Sequence, residues 1–473
     1  MREYLPQVSD YFTLDAIKRI CLVEERRNAL PRGFFSEVVE KLQLELKELR
    51  KARRSCAKSE RDDLDSEIQN LVQRLDAKKG EEINQLFESI RKGSFELEME
   101  QISIKGKRAY TTRERKSWIV SKIVLNELSN CYNIKYSDRN EIVEELGVLL
   151  DNRMAKVLIR LDIHHFFESI PQEMLMSRLE NDALLSKTCL KYIRSFLFLY
   201  NRMEKTSGLG LPRGICFSSC LSEIYLRPFD AKVREMEGVF MYHRYVDDII
   251  ILKSPSIGAD YENEGLIEDC IKDLGLSFND SSEKRHVGVI HGDSWTSFTY
   301  LGYEFMVGNG HCQILLGKAR LQKYYTLIKA IFDIYKRIAI YRNPSEKSKS
   351  IDPLIQLMHR LNALTGNGHL DGHQSYIRTG IFYSNRCLTN LSQLRELDLY
   401  LANCVEDASV FCPPAALFNY EGRNRTEIVQ GIREKIKKEY SFVRGFTECR
   451  TYRWNDYSAI LNGMQHIYQS RMK

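Results

Sequence analysis

A chain of 473 residues, 43% hydrophobic and 28% charged, has room for two or three cores and is excluded from the disordered and fibrous classes. Lys and Arg (70) barely exceed Asp and Glu (64), so the net charge of +6 does not by itself argue for a nucleic-acid partner. No run approaches the roughly 18 apolar residues of a membrane span. The start lacks a signal-type apolar core, and the 12 cysteines include no Cys-x-x-Cys, so a cytosolic chain with reduced thiols and no membrane partner is expected. Cys216 and Cys220, four apart, fit one buried helix face better than zinc.

From Ser36 to Arg91 the sequence is charged and Pro-free, with Gly80 its only glycine. Apolar residues recur at Val39, Leu42, Leu46 and Leu49, then at Leu64, Ile68, Leu71 and Leu75. Steps of three and four predict a coiled-coil-like helical hairpin, a surface for a protein partner or self-association. Its basic run Arg50–Arg54 reads as a solvated face, with contact to a phosphate backbone as the other reading. Alternation over Ile102–Tyr110 predicts a strand pair with a basic turn. Arg113, Arg115 and Lys116 then open a helix, and a second helix follows with Ser137 or Asp138 as its cap.

The apolar strand Val157–Leu161 ends on Asp162 and is followed by Phe166 and Phe167. A carboxylate at the end of a buried strand is costly unless hydrogen-bonded or metal-bound. Gly208–Gly214 is a Pro-braced loop, after which Ser218 or Ser219 caps a helix through Val233. Next comes Arg244-Tyr245-Val246-Asp247-Asp248-Ile249, two β-rich flanks meeting at adjacent carboxylates, which repel unless a cation lies between them. An acidic helix follows from Asn263, then Leu276–Asn279, Lys284 and a strand pair over Ser297–Phe305. Beyond Leu316 the pattern is mainly helical, with Pro344–Ser350 a loop. Tyr324, Tyr325 and Tyr335 among basic residues, the basic helix after Asn424, and Arg450–Trp454 suit a nucleic-acid backbone.

Individually modest, these signals form a telling order. A strand-end Asp with an aromatic pair, a Leu-Pro-x-Gly loop, Tyr-x-Asp-Asp, Leu-Gly-Leu with a following Lys, and Tyr-Leu-Gly together resemble the palm of a reverse transcriptase. The resemblance covers roughly residues 100 to 310. It implies an α+β right-hand polymerase fold, divided here as a helical N-terminal region (1–95), fingers and palm (96–310), and a helical thumb and C-terminal region (311–473). It implies RNA-directed DNA synthesis from dNTPs on an RNA template, yielding DNA, with two Mg²⁺ ions or Mn²⁺ in their place. Asp162, Asp247 and Asp248 match the catalytic carboxylates, and the Ile163 carbonyl completes the metal site. Two ions suit in-line phosphoryl transfer because they clamp the attacking and leaving oxygens, and Mg²⁺ wants hard oxygen ligands.

By the same resemblance Phe167, five positions after Asp162, matches the steric gate that excludes a ribose 2′-hydroxyl. Lys105, Lys107 and Arg108 match the fingers turn that grips the triphosphate. Lys284 matches the proton donor to pyrophosphate, and Tyr300-Leu301-Gly302 the primer grip. The loop residues Arg213 and Gly214 match a substrate-binding segment, but Arg213 stands where most of the family has Gln. That departure, with Leu361–Asn367 and Thr379–Tyr383, is similar to bacterial abortive-infection and phage-defence reverse transcriptases, members of which can be protein-primed or make DNA without a conventional template; DNA synthesis with a noncoding RNA in phage defence is the expected role. The departure leaves templated, template-independent and protein-primed synthesis open, with a catalytically silent RNA-binding scaffold as a further alternative.

Overall fold

The charged segment after Ser36 forms two helices whose apolar stripes face inward. In a computed structural model, which describes residues 11–26, 30–31, 33–56, 60–104, 106–112, 116–255, 262–282, 284–291, 293–341, 353–369, 378–411 and 425–451, α1 (Leu14–Arg26) precedes α2 (Glu37–Ser55) and α3 (Arg61–Arg91). α2 buries Val39 and Leu46; α3 buries Leu71, Leu75, Ile83, Leu86 and Ile90. Leu42, Leu49, Leu64 and Ile68 continue the stripes half-buried. α3 runs straight through Gly80. A helical glycine costs about 1 kcal/mol, whereas each buried Leu or Ile contributes about 1.5–3 kcal/mol, so packing wins. Lys105, Arg113, Arg115, the 344–350 loop and residues 452–454 of the last basic stretch lie outside the described residues.

The chain continues with β1 (Glu100–Ile104) and β2 (Lys107–Thr111), paired antiparallel with Ile102 opposite Ala109, then α4 (Ser117–Cys131). α5 (Arg139–Leu150) is capped by Asp138, whose carboxylate accepts from Asn140 N at 2.7 Å. There follow β3 (Lys156–Asp162), α6 (Phe166–Ser169), α7 (Gln172–Asp182), α8 (Lys187–Glu204) and α9 (Ser218–Arg234). β4 (Val239–Tyr245), β5 (Asp248–Lys253), α10 (Glu262–Lys272) and β6 (His286–Ile290) come next, and one sheet has the order β4-β5-β3-β6. The remaining elements are β7 (Thr296–Tyr300), β8 (Tyr303–Gly308), β9 (His311–Leu316), α11 (Lys318–Tyr341), α12 (Pro353–Thr365), β10 (Asn367–His369), β11 (Arg378–Gly380), α13 (Ser392–Glu406), α14 (Arg425–Glu439) and α15 (Phe442–Thr447).

Two compact units share this α+β chain: Met1–Tyr136 with Ile159–His286, and Ser137–Leu158 with Val287–Lys473. In the first, α4, α8 and α9 pack together, α9 lies along β4, and Phe196 meets Phe217 edge-on at 5.1 Å. In the second, β7, β8 and β9 form a meander and α11, α12, α13 and α15 pack around one another. Here Tyr335 of α11 departs from expectation, and its neighbours Tyr324 and Tyr325 pack on other rings. Tyr335 is buried and stacks on Phe411 at 5.4 Å, Tyr324 meets Phe442 at 5.6 Å and accepts from Asn385 Nδ2 at 2.9 Å, and Tyr325 meets Tyr400 at 5.0 Å. Only Tyr335 is fully buried; Tyr324 and Tyr325 are half-buried, each edge-on to another ring of the same unit. Cys216 also departs: it precedes α9 in the loop and donates to Ser121 O at 3.2 Å, while Cys220 alone sits buried on the helix. Among the described residues no helix is long and apolar enough to cross a membrane.

Candidate active site

β3 lies between β5 and β6 and is apolar along most of its length, so its last residue, Asp162, is a buried carboxylate at a strand end. An unpaired charge there costs several kcal/mol. Two partners offset it: Lys284 Nζ donates to Oδ2 at 2.6 Å and Asn279 Nδ2 to Oδ1 at 3.4 Å. Both arrive because Ser277–Asn279 runs antiparallel to Asp162–His164. Asn279 N donates to Asp162 O at 2.8 Å, and His164 N donates to Ser277 O at 2.9 Å.

The acidic hairpin differs in register from a turn made of two Asp residues. Tyr245 pairs with Asp248, so Val246-Asp247 is the two-residue turn and Asp248 opens β5. Val246 has φ +61°, a conformation that hairpins usually give to glycine and that a β-branched side chain resists. Arg244 holds it there. Its buried guanidinium donates from Nη1 to Val246 O at 3.0 Å, to Glu223 at 2.7 and 3.0 Å and to Asp230 at 2.7 and 2.8 Å, while Tyr242 Oη donates to Asp230 at 2.5 Å. Ile163 N donates to Asp247 O at 3.1 Å and ties the turn to the end of β3. Sequence reasoning treated Arg244 only as strand; the available signal was period two, which puts Tyr242 and Arg244 on one face.

Asp162 and Asp247 open onto a cleft of about 500 Å³ whose cations are Lys107, Arg108, Arg213 and Lys284. Arg213 pairs with Glu168 at 3.1 Å, and its guanidinium lies 5.5 Å over the ring of Phe167. Phe166 is buried and lines the cleft wall; Phe167 is half-buried, beneath Arg213. Arg108 pairs with Glu204 at 2.9 Å, and Tyr110 Oη donates to the same carboxylate. Gly214 has φ +99°, and a Cβ there would stand 2.6 Å from Tyr110 O. Its place is thus in backbone packing: it lets the loop press on β2, where Tyr110 N donates to Arg213 O at 2.7 Å. Ser218 does not cap α9 as expected; its Oγ donates to Pro212 O at 2.8 Å and braces this loop instead. Ile163, His164 and His165 also line the cleft, both histidines exposed. In the other unit, Leu301-Gly302 forms the β7–β8 turn, and Leu301 O accepts from Arg139 Nε at 2.9 Å.

Residues 101–305 match the family model for reverse transcriptase (RNA-dependent DNA polymerase). The matched stretch contains the strand-end carboxylate, the acidic hairpin and Lys284, and the α+β architecture fits a right-hand polymerase fold. Solved structures similar to the chain include telomerase from Candida albicans in complex with a TWJ fragment of telomeric RNA. There the identity is 12%, the TM-score 0.37, and the match covers 74% of this chain and 54% of that one. Apo telomerase from Candida tropicalis gives 11%, 0.31, 74% and 56%. The chain thus spans about half the length of those structures. No curated protein sequence matches it significantly.

Within the reverse transcriptase domain the three acids oppose one another. Burial raises the Asp247 carboxyl above its ordinary range and the charge of Asp162 adds to this, against Lys284 and Arg213. Burial pushes Asp248 up to about 6, helped by Asp247 and Asp162 and opposed by Arg160 and Lys284. Burial would lower Lys284, but its hydrogen bond to Asp162 and that carboxylate's charge outweigh burial and raise it. The ammonium therefore stands where positive charge is needed. The donor set fits a hard divalent cation: carboxylate oxygens from two strand ends that repel without one. Among the described residues no three His, Cys, Asp or Glu side chains form a ready-made cage. Mg²⁺ takes one or two carboxylates and completes its shell with water and substrate phosphate.

The raised Asp248 makes stability pH-dependent in a definite direction. A carboxyl whose folded pKa lies above its unfolded value stabilises the fold below about pH 4 and loses that contribution as pH rises through about 6. Without metal, the wild-type melting temperature should fall over this window relative to Asp248→Asn, by the equivalent of about 3 kcal/mol. Parallel melting profiles for the two proteins would refute the assignment.

Proposed function

We propose that the chain is an RNA-directed DNA polymerase adding dNTPs by two-metal phosphoryl transfer, and that it acts with a noncoding RNA in bacterial antiviral (phage) defence, in the cytoplasm. The observation that carries the polymerase reading is a strand end beside a hairpin turn: Asp162 and Asp247, joined by the Ile163–Asp247 hydrogen bond, open on a cleft with four cations. Asp162, Asp247 and the Ile163 carbonyl would hold two Mg²⁺ or Mn²⁺ ions, with Asp248 nearer the rim; when bound, the ions stabilise charge on the attacking and leaving oxygens. Lys107 and Arg108, with Lys105, receive the triphosphate. Lys284 neutralises Asp162 before metal arrives and afterwards supplies a proton to pyrophosphate. In this reading residues 96–310 are fingers and palm, 1–95 a helical N-terminal region and 311–473 the thumb and C-terminal region.

Phe167 selects the sugar by occupying the space of a 2′-hydroxyl, and the Arg213 guanidinium over its ring sets its orientation. Phe167→Ala should raise ribonucleotide incorporation relative to deoxynucleotide by roughly tenfold or more, the scale of a 1–3 kcal/mol pocket contact. Unchanged discrimination in competition assays would remove the role.

Template-independent or protein-primed synthesis on the same palm is the second reading, favoured by Arg213 in place of Gln and by its ion pair with Glu168 at 3.1 Å. The deciding experiment purifies the protein with its co-purifying RNA and supplies labelled dNTPs one at a time with Mg²⁺. A product complementary to the bound RNA supports templated synthesis; a homopolymer supports the second reading; protease-sensitive product mobility identifies a protein primer. No incorporation with any dNTP would leave the RNA-binding scaffold.

A further inference from the structure

We infer that the N-terminal helical hairpin carries a second nucleic-acid contact, a groove that grips the phosphodiester backbone of an RNA strand without reading its bases. The groove, about 790 Å³, lies between α1, α2 and α3 and shares no residue with the cleft. Its decisive wall is α2, which contributes Lys47, Arg50, Lys51 and Arg54. Those positions are i, i+3, i+4 and i+7, a single helical stripe about 10 Å long.

What sets the stripe apart from an ordinary solvated basic run is its lack of partners. Among the described residues no carboxylate pairs with Lys47, Arg50, Lys51 or Arg54. By contrast Arg53, within the same basic run but absent from the groove wall, is ion-paired with Asp65, Nη2 to Oδ2 at 2.8 Å. Of the two groove carboxylates, Glu25 already accepts from Lys79 at 2.5 Å, which leaves Asp76 against four cations. Like charges at i, i+3 and i, i+4 cost a few tenths of a kcal/mol per pair, so the bare helix carries a repulsion that a bound polyanion relieves. Among the described residues no aromatic ring lines the groove, which removes base stacking and leaves backbone contact. The choice of RNA over an acidic peptide rests on the polymerase reading of the same unit, whose template is a phosphate polyanion.

The test uses the full chain and a labelled 20-nucleotide RNA of mixed sequence, followed by fluorescence anisotropy over a salt series without dNTPs. The variant replaces Lys47, Arg50, Lys51 and Arg54 by Gln, a good helix former, and circular dichroism checks its fold. Its Kd should weaken by roughly tenfold or more, and its log–log salt slope should shrink by about 3, the release expected for four single-strand phosphate contacts. Arg53→Gln should bind as wild type does. A quadruple variant with wild-type affinity and slope would overturn the inference. So would displacement of the RNA by poly-glutamate at equal charge, which would assign the surface to an acidic protein. Because binding is read without dNTPs, missing nucleotide incorporation would count against the polymerase reading and leave this result standing.

Discussion

Asp247→Ala should abolish nucleotide addition, lowering kcat by about a thousandfold or more, while the protein melts no lower than wild type. The first half follows from the proposed metal site: losing one of two shared carboxylates removes several kcal/mol of stabilisation, and about 4 kcal/mol is three decades in rate. The second half follows from the electrostatics. Burial and the neighbouring Asp162 already disfavour the charged Asp247, so deleting it relieves repulsion instead of breaking a pair. Steady-state dNTP incorporation and a thermal melt on the same preparation separate catalytic from structural loss. Wild-type turnover in this variant would end the enzymatic assignment; a collapsed melt would show that Asp247 holds the fold instead.

Arg244→Met should behave in the opposite way, with stability falling first. Arg244 is 4% exposed and its partners Asp230 and Glu223 are 10% and 21% exposed, so its removal strands two carboxylates in a desolvated site. Breaking such a network costs about 3–5 kcal/mol. It also releases the Val246 carbonyl, the anchor of the positive-φ turn. Arg244→Lys separates the two effects. A lysine keeps the charge but lacks the planar fork that reaches Glu223, Asp230 and Val246 together, so it should recover part of the urea midpoint while kcat stays roughly tenfold or more below wild type. Full activity in Arg244→Lys would mean that the guanidinium supports the fold without positioning the turn.

Much of the architecture was legible because its causes are local. The α2–α3 stripe is a period-3.6 pattern, Asp138 is an N-cap with its amide partner two residues on, and β3 is an apolar run ending in a carboxylate. For a matching reason the packing of the α11 tyrosines was not legible. Tyr324 and Tyr335 are amphipathic, and composition cannot say whether such a ring faces a base or, as here, Phe442 and Phe411.

The sequence determined the ordered motifs whose resemblance to a reverse transcriptase palm puts Asp162, Asp247, Asp248 and Lys284 in one series. Only the tertiary structure decided which residues make the turn, what holds Val246 at φ +61°, and that Lys284 lies on Asp162. Those outcomes depend on groups far apart in the chain, Glu223 and Asp230 with Arg244, and Asp162 with Lys284. A buried charge must find its partner in space, and local sequence carries no record of where that partner will be.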